Sequence, residues 1–469
     1  MTSTSLTFAA GTLLLDGGGI PRPKAAELLG TPAPAWDARV GGWRADAIAY
    51  RGIQARLHTS APHVTDAVPA WQRVRWPNVR LPELRDEQRA AVDAWMCSRH
   101  GCIVMPTGTG KTEVALSIMA RTSTATLVVA PVRDLMYQWH RRILRGLGYD
   151  AGVIGDSTFR VRPVSVTTYD SACIHMPQLG NRFELIVFDE CHHLPGDVRR
   201  DAARMSAAPL RLGLTATPDR SDRRDADLDW LIGPRVYELP LAAVRGGTLA
   251  DYDVVRIPVF LTDAEQARYD RLSVEVRQYV AERRKDDPQF TWQDLCADTG
   301  RTPEARRVLR AYHAKKSIEE RAGEKLRVLE DLFRLHAGQA FLIFAGSNAM
   351  ARDVSRRFLI PCLLSHCGKR ERLEVLEGLE AGRYPALVAN RVLDEGVDLP
   401  AVKVAVVIGG TASTRQSRQR LGRVLRKSGD QRAVLYEVVC MGTNEEQRSR
   451  ERRKTEAYAG TRHRRARIY

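Results

Sequence analysis

Beyond Leu84 the apolar residues of this chain gather into short, β-branched runs separated by stretches of helical spacing. The runs are Cys102-Ile103-Val104-Met105, Leu127 to Pro131, Val164 to Tyr169, Leu185 to Glu190 and Leu212 to Thr217. Runs that are apolar on both faces and bounded by helix-like segments predict strands of a doubly wound parallel sheet. Between about 263 and 336 the strand runs stop. There Tyr269, Leu272, Val276 and Val280 mark one helical face, Pro288 ends the run, and Thr302-Pro303 offers an N-cap followed by proline at the first helical position. Strand runs return at 341–346, 386–389, 402–408 and 433–438, which predicts a second α/β domain. Ahead of both, residues 1 to about 75 hold Trp36, Trp43 and Trp71 among short strand candidates such as Leu13-Leu14-Leu15, punctuated by Gly and Pro. That texture predicts a small separate domain. No short-period repeat is present, which excludes a solenoid.

Length agrees with this division: 469 residues leave room for about three domains at ~150 residues each. No apolar run approaches the roughly 18 residues of a membrane helix, and no basic residue precedes Arg22. A secretory signal is therefore not expected, and the cytoplasm is the expected location. The eight cysteines include no Cys-x-x-Cys pair, which fits a reducing compartment. Cys97 and Cys102, like Cys362 and Cys367, lean into apolar runs and read as buried small hydrophobes rather than metal ligands. The net charge of +16 favours a polyanionic partner. Much of it sits at the end: from Gln447 to Tyr469, eight Arg and one Lys face only Glu451 and Glu456. Without apolar periodicity, that tail reads as a mobile arm, either a nucleic-acid contact or a solvated extension.

The chemistry begins at Pro106-Thr107-Gly108-Thr109-Gly110-Lys111-Thr112, directly after a predicted strand and before a helix starting near Glu113. This is a phosphate-binding loop. Its glycines let backbone N–H groups converge on the β- and γ-phosphates at a helix N-terminus, Lys111 neutralises charge there, and the Thr112 hydroxyl ligates Mg²⁺. Met105 stands where the strict pattern has its first glycine. Further on, a strand ends in Asp189-Glu190-Cys191-His192-His193. Adjacent carboxylates at a strand end are expected to point to opposite sides, which assigns Asp189 to Mg²⁺ and Glu190 to polarising the attacking water. Gln419-Arg420-Leu421-Gly422-Arg423-Val424-Leu425-Arg426 has helical spacing that puts Arg423 and Arg426 on one face. Two arginines so placed either reach a γ-phosphate across a cleft or form a solvated basic face.

Phosphate loop, Asp-Glu-Cys-His box, Thr215-Ala216-Thr217, Gly396-Val397-Asp398 and Gln419-Arg420-Leu421-Gly422-Arg423 follow one another in the order of a superfamily 2 helicase. More narrowly, the chain resembles the XPB family, especially its shorter prokaryotic members, from Gly42 to about Lys454. The longer matching stretches are Leu84 to Gln88, Val166 to Ala172, Phe188 to Pro195, Arg211 to Thr217 and Val392 to Pro400. The resemblance implies an α/β fold of two RecA-like parallel-sheet domains in tandem, with a small N-terminal α+β domain and a helical thumb-like insertion. The boundaries that follow are a damage-recognition-like domain at 1–75, an ATP-binding helicase domain at 76–245, a second helicase domain at 246–455 with the insertion at 263–316, and a basic tail at 456–469. It further implies that Arg85 and Gln88 contact adenine, and that His192 couples the nucleotide site to Thr215 and Thr217. Gly396 and Asp398 would lie near nucleotide and DNA, while Gln419, Arg423 and Arg426 would complete the ATP site from the second domain.

The activity implied is ATP-dependent 3'-5' movement on DNA in repair, by a monomer acting on single-stranded DNA or a duplex with a 3' overhang, with a nuclease as protein partner. In the N-terminal domain the tryptophans either stack on distorted bases or fill a core, and the insertion either grips DNA or forms a solvated lid. The family's Arg-Glu-Asp loop corresponds to Arg220-Ser221-Asp222, with Ser in place of Glu. That departure weakens the implied strand-separating role of Arg220 and Asp222 and favours translocation over unwinding. Two other readings stay open: the motor of a restriction or phage-defence system, and an RNA-dependent ATPase remodeller.

Overall fold

The computed structural model describes residues 4–16, 20–30, 34–106, 108–216, 226–240, 243, 252–364, 366–390, 402–409, 433–453 and 463–465. The chain divides into two compact units, Met1–Ala243 and Val244–Tyr469.

The first unit opens with β1 (Ser5–Ala9), β2 (Thr12–Asp16), α1 (Arg22–Leu29), β3 (Ala35–Asp37), β4 (Gly42–Asp46), α2 (Tyr50–Ser60) and β5 (Thr65–Asp66). The strands form one sheet in the order β3-β4-β2-β1-β5. Leu6, Leu13 and Leu15 alternate onto its inner face and meet Leu28, Leu29, Tyr50, Ile53 and Leu57 from the two helices. Trp36 and Trp43 face each other across β3 and β4, edge to face at 5.0 Å. Trp43 is anchored by its N–H to the Ile20 carbonyl at 2.8 Å, whereas Trp36 is 51% exposed. This piece has its own core and packs against the one that follows. Trp71 and Ile48 pack against the neighbouring core, Asn181 donates to the Val68 carbonyl at 2.9 Å, Arg51 donates to the Ser98 carbonyl at 3.0 Å, and Arg204 pairs with Asp46 at 3.2 Å.

The remainder of the first unit is α3 (Asp86–Ser98), β6 (His100–Val104), α4 (Lys111–Thr122), β7 (Thr126–Ala130), α5 (Arg133–Leu147), β8 (Gly152–Gly155), β9 (Thr158–Arg160), β10 (Val164–Thr168), α6 (Tyr169–Leu179), β11 (Leu185–Asp189), α7 (Asp201–Arg204), β12 (Leu210–Thr215), α8 (Asp227–Leu231) and β13 (Arg235–Glu238). Its strands run in the order β13-β6-β12-β11-β7-β10-β8-β9. All neighbours are parallel except β9, which turns back antiparallel on β8. Every residue of β7, β10 and β12 is buried, as a sheet with helices on both faces requires. The order places β12 between β6 and β11, with Thr215 opposite Val104 and Leu214 opposite Asp189. The C-terminal ends of these three strands therefore lie side by side, at the sheet edge where open α/β folds bind ligands.

The second unit begins with β14 (Tyr252–Val259), followed by α9 (Asp263–Asp286), α10 (Trp292–Asp298), α11 (Pro303–Glu320), α12 (Gly323–Leu335), β15 (Phe341–Phe344), α13 (Asn348–Phe358), β16 (Cys362–Leu363), α14 (Lys369–Glu380), β17 (Ala386–Ala389), β18 (Val404–Val407), β19 (Ala433–Cys440), α15 (Asn444–Arg453) and β20 (His463–Arg465). Its sheet is parallel, in the order β16-β17-β15-β18-β19-β14-β20. The three helices after β14 start on side-chain caps from Thr262, Thr291 and Thr302, the last followed by Pro303 at the first position. They enclose a small core of Phe290, Leu295, Ala305 and Val308. The tail corrects one expectation: His463 to Arg465, read as part of a mobile arm, pair with Val254 to Arg256 of β14 and close the sheet edge. Cys97 corrects another, being exposed on α3.

Candidate nucleotide site

The phosphate loop leaves β6 at the sheet edge and enters α4 at Lys111. Gly108 and Gly110 adopt φ values of 86° and 85°, left-handed backbone that glycine reaches without strain. A Cβ on Gly110 would lie 2.2 Å from Gln88 Nε2, so sterics and conformation both demand glycine there. Gly110 is also the N-cap and supplies no side-chain cap, which leaves the first N–H groups of α4 to an anion. Thr109 is buried and pins the loop on itself, its Oγ1 donating to the Pro106 carbonyl at 2.7 Å. Lys111 Nζ donates to the Met105 carbonyl at 3.1 Å, a neutral acceptor that a phosphate oxygen outcompetes. Met105, the departure from the strict motif, is fully buried and ties the loop's base to β12 through its N–H and the Thr215 carbonyl at 3.0 Å.

Arg85 and Gln88, expected on adenine, both reach the loop itself. Gln88 is buried; its Nε2 donates to the Thr109 carbonyl at 2.8 Å and its Oε1 accepts the Arg85 N–H at 2.9 Å. The Arg85 guanidinium donates to the same Thr109 carbonyl and to Glu87 at 3.0 Å.

At the end of β11, Asp189 Oδ2 accepts the indole N–H of Trp139 at 2.8 Å, and Oδ1 accepts the Glu190 N–H at 3.0 Å. Burial, and then the neighbouring Glu190 carboxylate, push the Asp189 pKa above the ordinary carboxylate range, while Trp139 and Lys111 pull it back. The separation of the two carboxylates differs in origin from the expected pleating: the strand ends at Asp189, and Glu190 turns the chain with φ 47°. Glu190 Oε2 lies 3.4 Å from His192 Nδ1 and is buried without a hydrogen-bond partner among the described residues. His192 is fully buried, with Nδ1 2.9 Å from Thr215 Oγ1. A polar chain thus runs from Glu190 through His192 to the end of β12.

Asp189 and Thr215 end adjoining strands of one sheet, Glu190 and His192 lie in the turn after the first, and Lys111 and Thr112 open the helix that follows the neighbouring strand β6. Thr107, Thr217, Arg220, Asp222, Gly396, Asp398, Gln419, Arg423 and Arg426 lie outside the described residues. Two contributors were not anticipated from sequence, both on α5: Trp139, and Arg142, which pairs with Glu113 at the start of α4. Their signal in the sequence is only the amphipathic spacing of that helix. Cys102 and Cys191 sit against each other over Gly213, where a Cβ would come within 2.8 and 3.0 Å of the two sulfurs. No group of three His, Cys, Asp or Glu among the described residues is arranged to hold a metal by itself.

Residues 6–68 match the xeroderma pigmentosum group B helicase damage recognition domain. Residues 81–220 match the res subunit of type III restriction enzymes, and 324–428 the helicase conserved C-terminal domain. The DNA 3'-5' translocase XPB2 of Sulfurisphaera tokodaii is 39% identical over 372 residues, which cover 79% of this chain and 84% of that protein. The chain belongs to the XPB family. The DNA 3'-5' helicase XPB of Kineococcus radiotolerans is 30% identical over 77% of this chain and 61% of its own length. Among solved structures, the Hef helicase domain of Pyrococcus furiosus superposes with a TM-score of 0.54 at 17% identity, covering 78% of this chain and 97% of that one. Dbp5 of S. cerevisiae, bound to RNA and ADP BeF3, gives 0.55 at 16%, covering 81% and 89%. Both show the helicase fold, and together with the three family matches they give tandem RecA-like parallel-sheet domains preceded in the chain by a small N-terminal domain, as the XPB resemblance implied. The helicase domains bind ATP. Among the described residues, no helix is long and apolar enough to cross a membrane.

Proposed function

We propose that this XPB-family protein is an ATP-dependent DNA motor that moves 3'-5' on DNA and serves in DNA repair. The observation that carries it is the 39% identity to a named DNA 3'-5' translocase across 84% of that protein's length. The phosphate loop beside the Asp189-Glu190 strand end supplies the matching chemistry. Lys111 and the open N-terminus of α4 bind the phosphates, and Glu190 orients the attacking water.

The donor set at the loop fits Mg²⁺. Asp189 and the Thr112 hydroxyl are hard oxygen ligands, and the pair Asp189 and Glu190 is a local excess of buried negative charge. Held by Asp189 and Thr112, such a cation would supply charge neutralisation to the bound phosphates. His192 couples Glu190 to Thr215 by lying within reach of both, and on the XPB pattern Gln419, Arg423 and Arg426 are assigned to hydrolysis as well. The protein works as a cytoplasmic monomer, and any strand cleavage comes from a separate nuclease chain.

The test is steady-state ATP hydrolysis without nucleic acid, with single-stranded DNA, with duplex DNA and with RNA, alongside Lys111→Ala and Glu190→Gln. Stimulation by DNA that both substitutions abolish supports the motor. Stimulation by RNA alone overturns the repair reading.

A further inference from the structure

Helix α5 follows the second strand of the sheet and buries Met136, Trp139 and Ile143 on one face. Burying a tryptophan on such a face needs no functional reason, since the indole brings large apolar area into the core. What sets Trp139 apart is where its N–H goes. The ring is 2% exposed, and its one polar atom donates to Asp189 Oδ2 at 2.8 Å. An indole N–H can only donate, so this contact holds the carboxylate as an acceptor in a fixed orientation. The other oxygen, Oδ1, is held by the Glu190 N–H at 3.0 Å. With both oxygens tied, rotation of the carboxylate is arrested, and Lys111 is among the charges that act on it. One helical turn on, Arg142 pairs with Glu113, the third residue of α4. The same face of α5 therefore grips both the strand end that carries Asp189 and the helix that carries Lys111 and Thr112.

We propose that Trp139 is a positioning residue for Asp189, fixing through its indole N–H the orientation in which the carboxylate takes a divalent cation. The proposal rests on the reading of Asp189 as a cation ligand. Outer-shell partners that orient a ligating carboxylate typically carry about 10- to 100-fold in metal affinity. Trp139 would be such a partner, acting through Asp189 and not on the nucleotide.

Two replacements at position 139 test this in the full chain: Trp139→Phe, and site-specific insertion of 3-benzothienylalanine, which keeps the bicyclic shape but has sulfur in place of N–H. The readouts are the thermal midpoint, binding of a fluorescent ADP analogue in EDTA, and the Mg²⁺ concentration that half-saturates the cation-dependent part of that binding. The expected result for the benzothienyl protein is a midpoint lowered by only a few degrees, unchanged binding in EDTA, and a half-saturating Mg²⁺ concentration raised roughly 10- to 100-fold. A merely structural Trp139 predicts that the isostere titrates like the wild type, and that result overturns the proposal even if Trp139→Phe folds poorly. Wild-type nucleotide binding that ignores Mg²⁺ would instead remove the cation-site reading itself, a failure visible before any variant is made.

Discussion

Replacing Gln88 by leucine separates two roles that the family pattern and the geometry assign to the same side chain. If Gln88 serves adenine alone, its loss should weaken adenine nucleotides and nothing else. The structure instead gives Gln88 to the phosphate loop: Nε2 to the Thr109 carbonyl at 2.8 Å, and Oε1 back to the Arg85 backbone N–H at the start of α3 at 2.9 Å. Each such hydrogen bond is worth about 1 kcal/mol net. Leucine at 88 keeps the burial and removes both, and the Thr109 carbonyl retains Arg85. The expected loss is about 2 kcal/mol, or roughly 30-fold in affinity if it falls wholly on the bound conformation of the loop.

On the proposed reading of the loop as a phosphate site, that loss should appear equally for ATP, GTP and inorganic tripolyphosphate, measured by displacement of a fluorescent nucleotide from the full-length protein. Gln88→Glu sharpens the test. It keeps an acceptor for Arg85 but turns a carboxylate oxygen toward the Thr109 carbonyl, so it should weaken all three ligands at least as much as leucine does. Tripolyphosphate bound as tightly by Gln88→Leu as by wild type, with ATP alone weakened, would refute the brace and leave Gln88 as a reader of the base.

Other sites give equally direct expectations. Arg211 is buried, and its guanidinium donates to the carbonyls of Ala203, Ser206, Ala208 and Leu231; Arg211→Met should cost on the order of 3–5 kcal/mol and advance the unfolding of the first unit in urea. Lys325 and Glu445 are fully buried 2.7 Å apart, so Lys325→Met should cost about 3–5 kcal/mol, while adding Glu445→Leu should recover most of it, since the stranded charge is then gone; thermal melts of the two proteins decide. Asp189 has its folded-state pKa raised, first by burial and then by Glu190, so the folded state holds that proton more tightly than the unfolded one, and stability falls as pH rises from the ordinary carboxylate value into the raised range. In EDTA, Asp189→Asn carries a pH-independent cost because its NH₂ faces one of the two N–H donors that Asp189 accepts, but its melting temperature relative to wild type should rise between about pH 4 and neutral; a difference independent of pH would contradict this.

How far the sequence alone reaches depends on what fixes each residue. The strands β7, β10 and β12 are legible because burial on both faces leaves short runs rich in apolar and β-branched residues, broken only by Ser165 in β10 and by Arg211 and Gly213 in β12. Strand β9 is exposed along its whole length, and β20 reads His-Arg-Arg and is held by main-chain pairing to β14; neither has an apolar pattern to read. In β14, Arg256 and Pro258 interrupt the run, and the strand is fixed by its eight-residue pairing with β19.

The site divides along the same line. Lys111 and the loop glycines are visible because their demands are local: a left-handed backbone and a charge at a helix N-terminus. Gln88 reaches Thr109 across 21 residues and Trp139 reaches Asp189 across 50, and neither spacing carries a pattern, since the sheet order brings these residues together. On its own helix each one looks like ordinary core. Residues of the phosphate loop can thus be read from a motif, and Gln88 from the matching stretch Leu84 to Gln88, but what Gln88 braces, and Trp139 altogether, emerge only from the fold. It follows that a substitution at Trp139 should alter the candidate nucleotide site while leaving every recognisable motif intact.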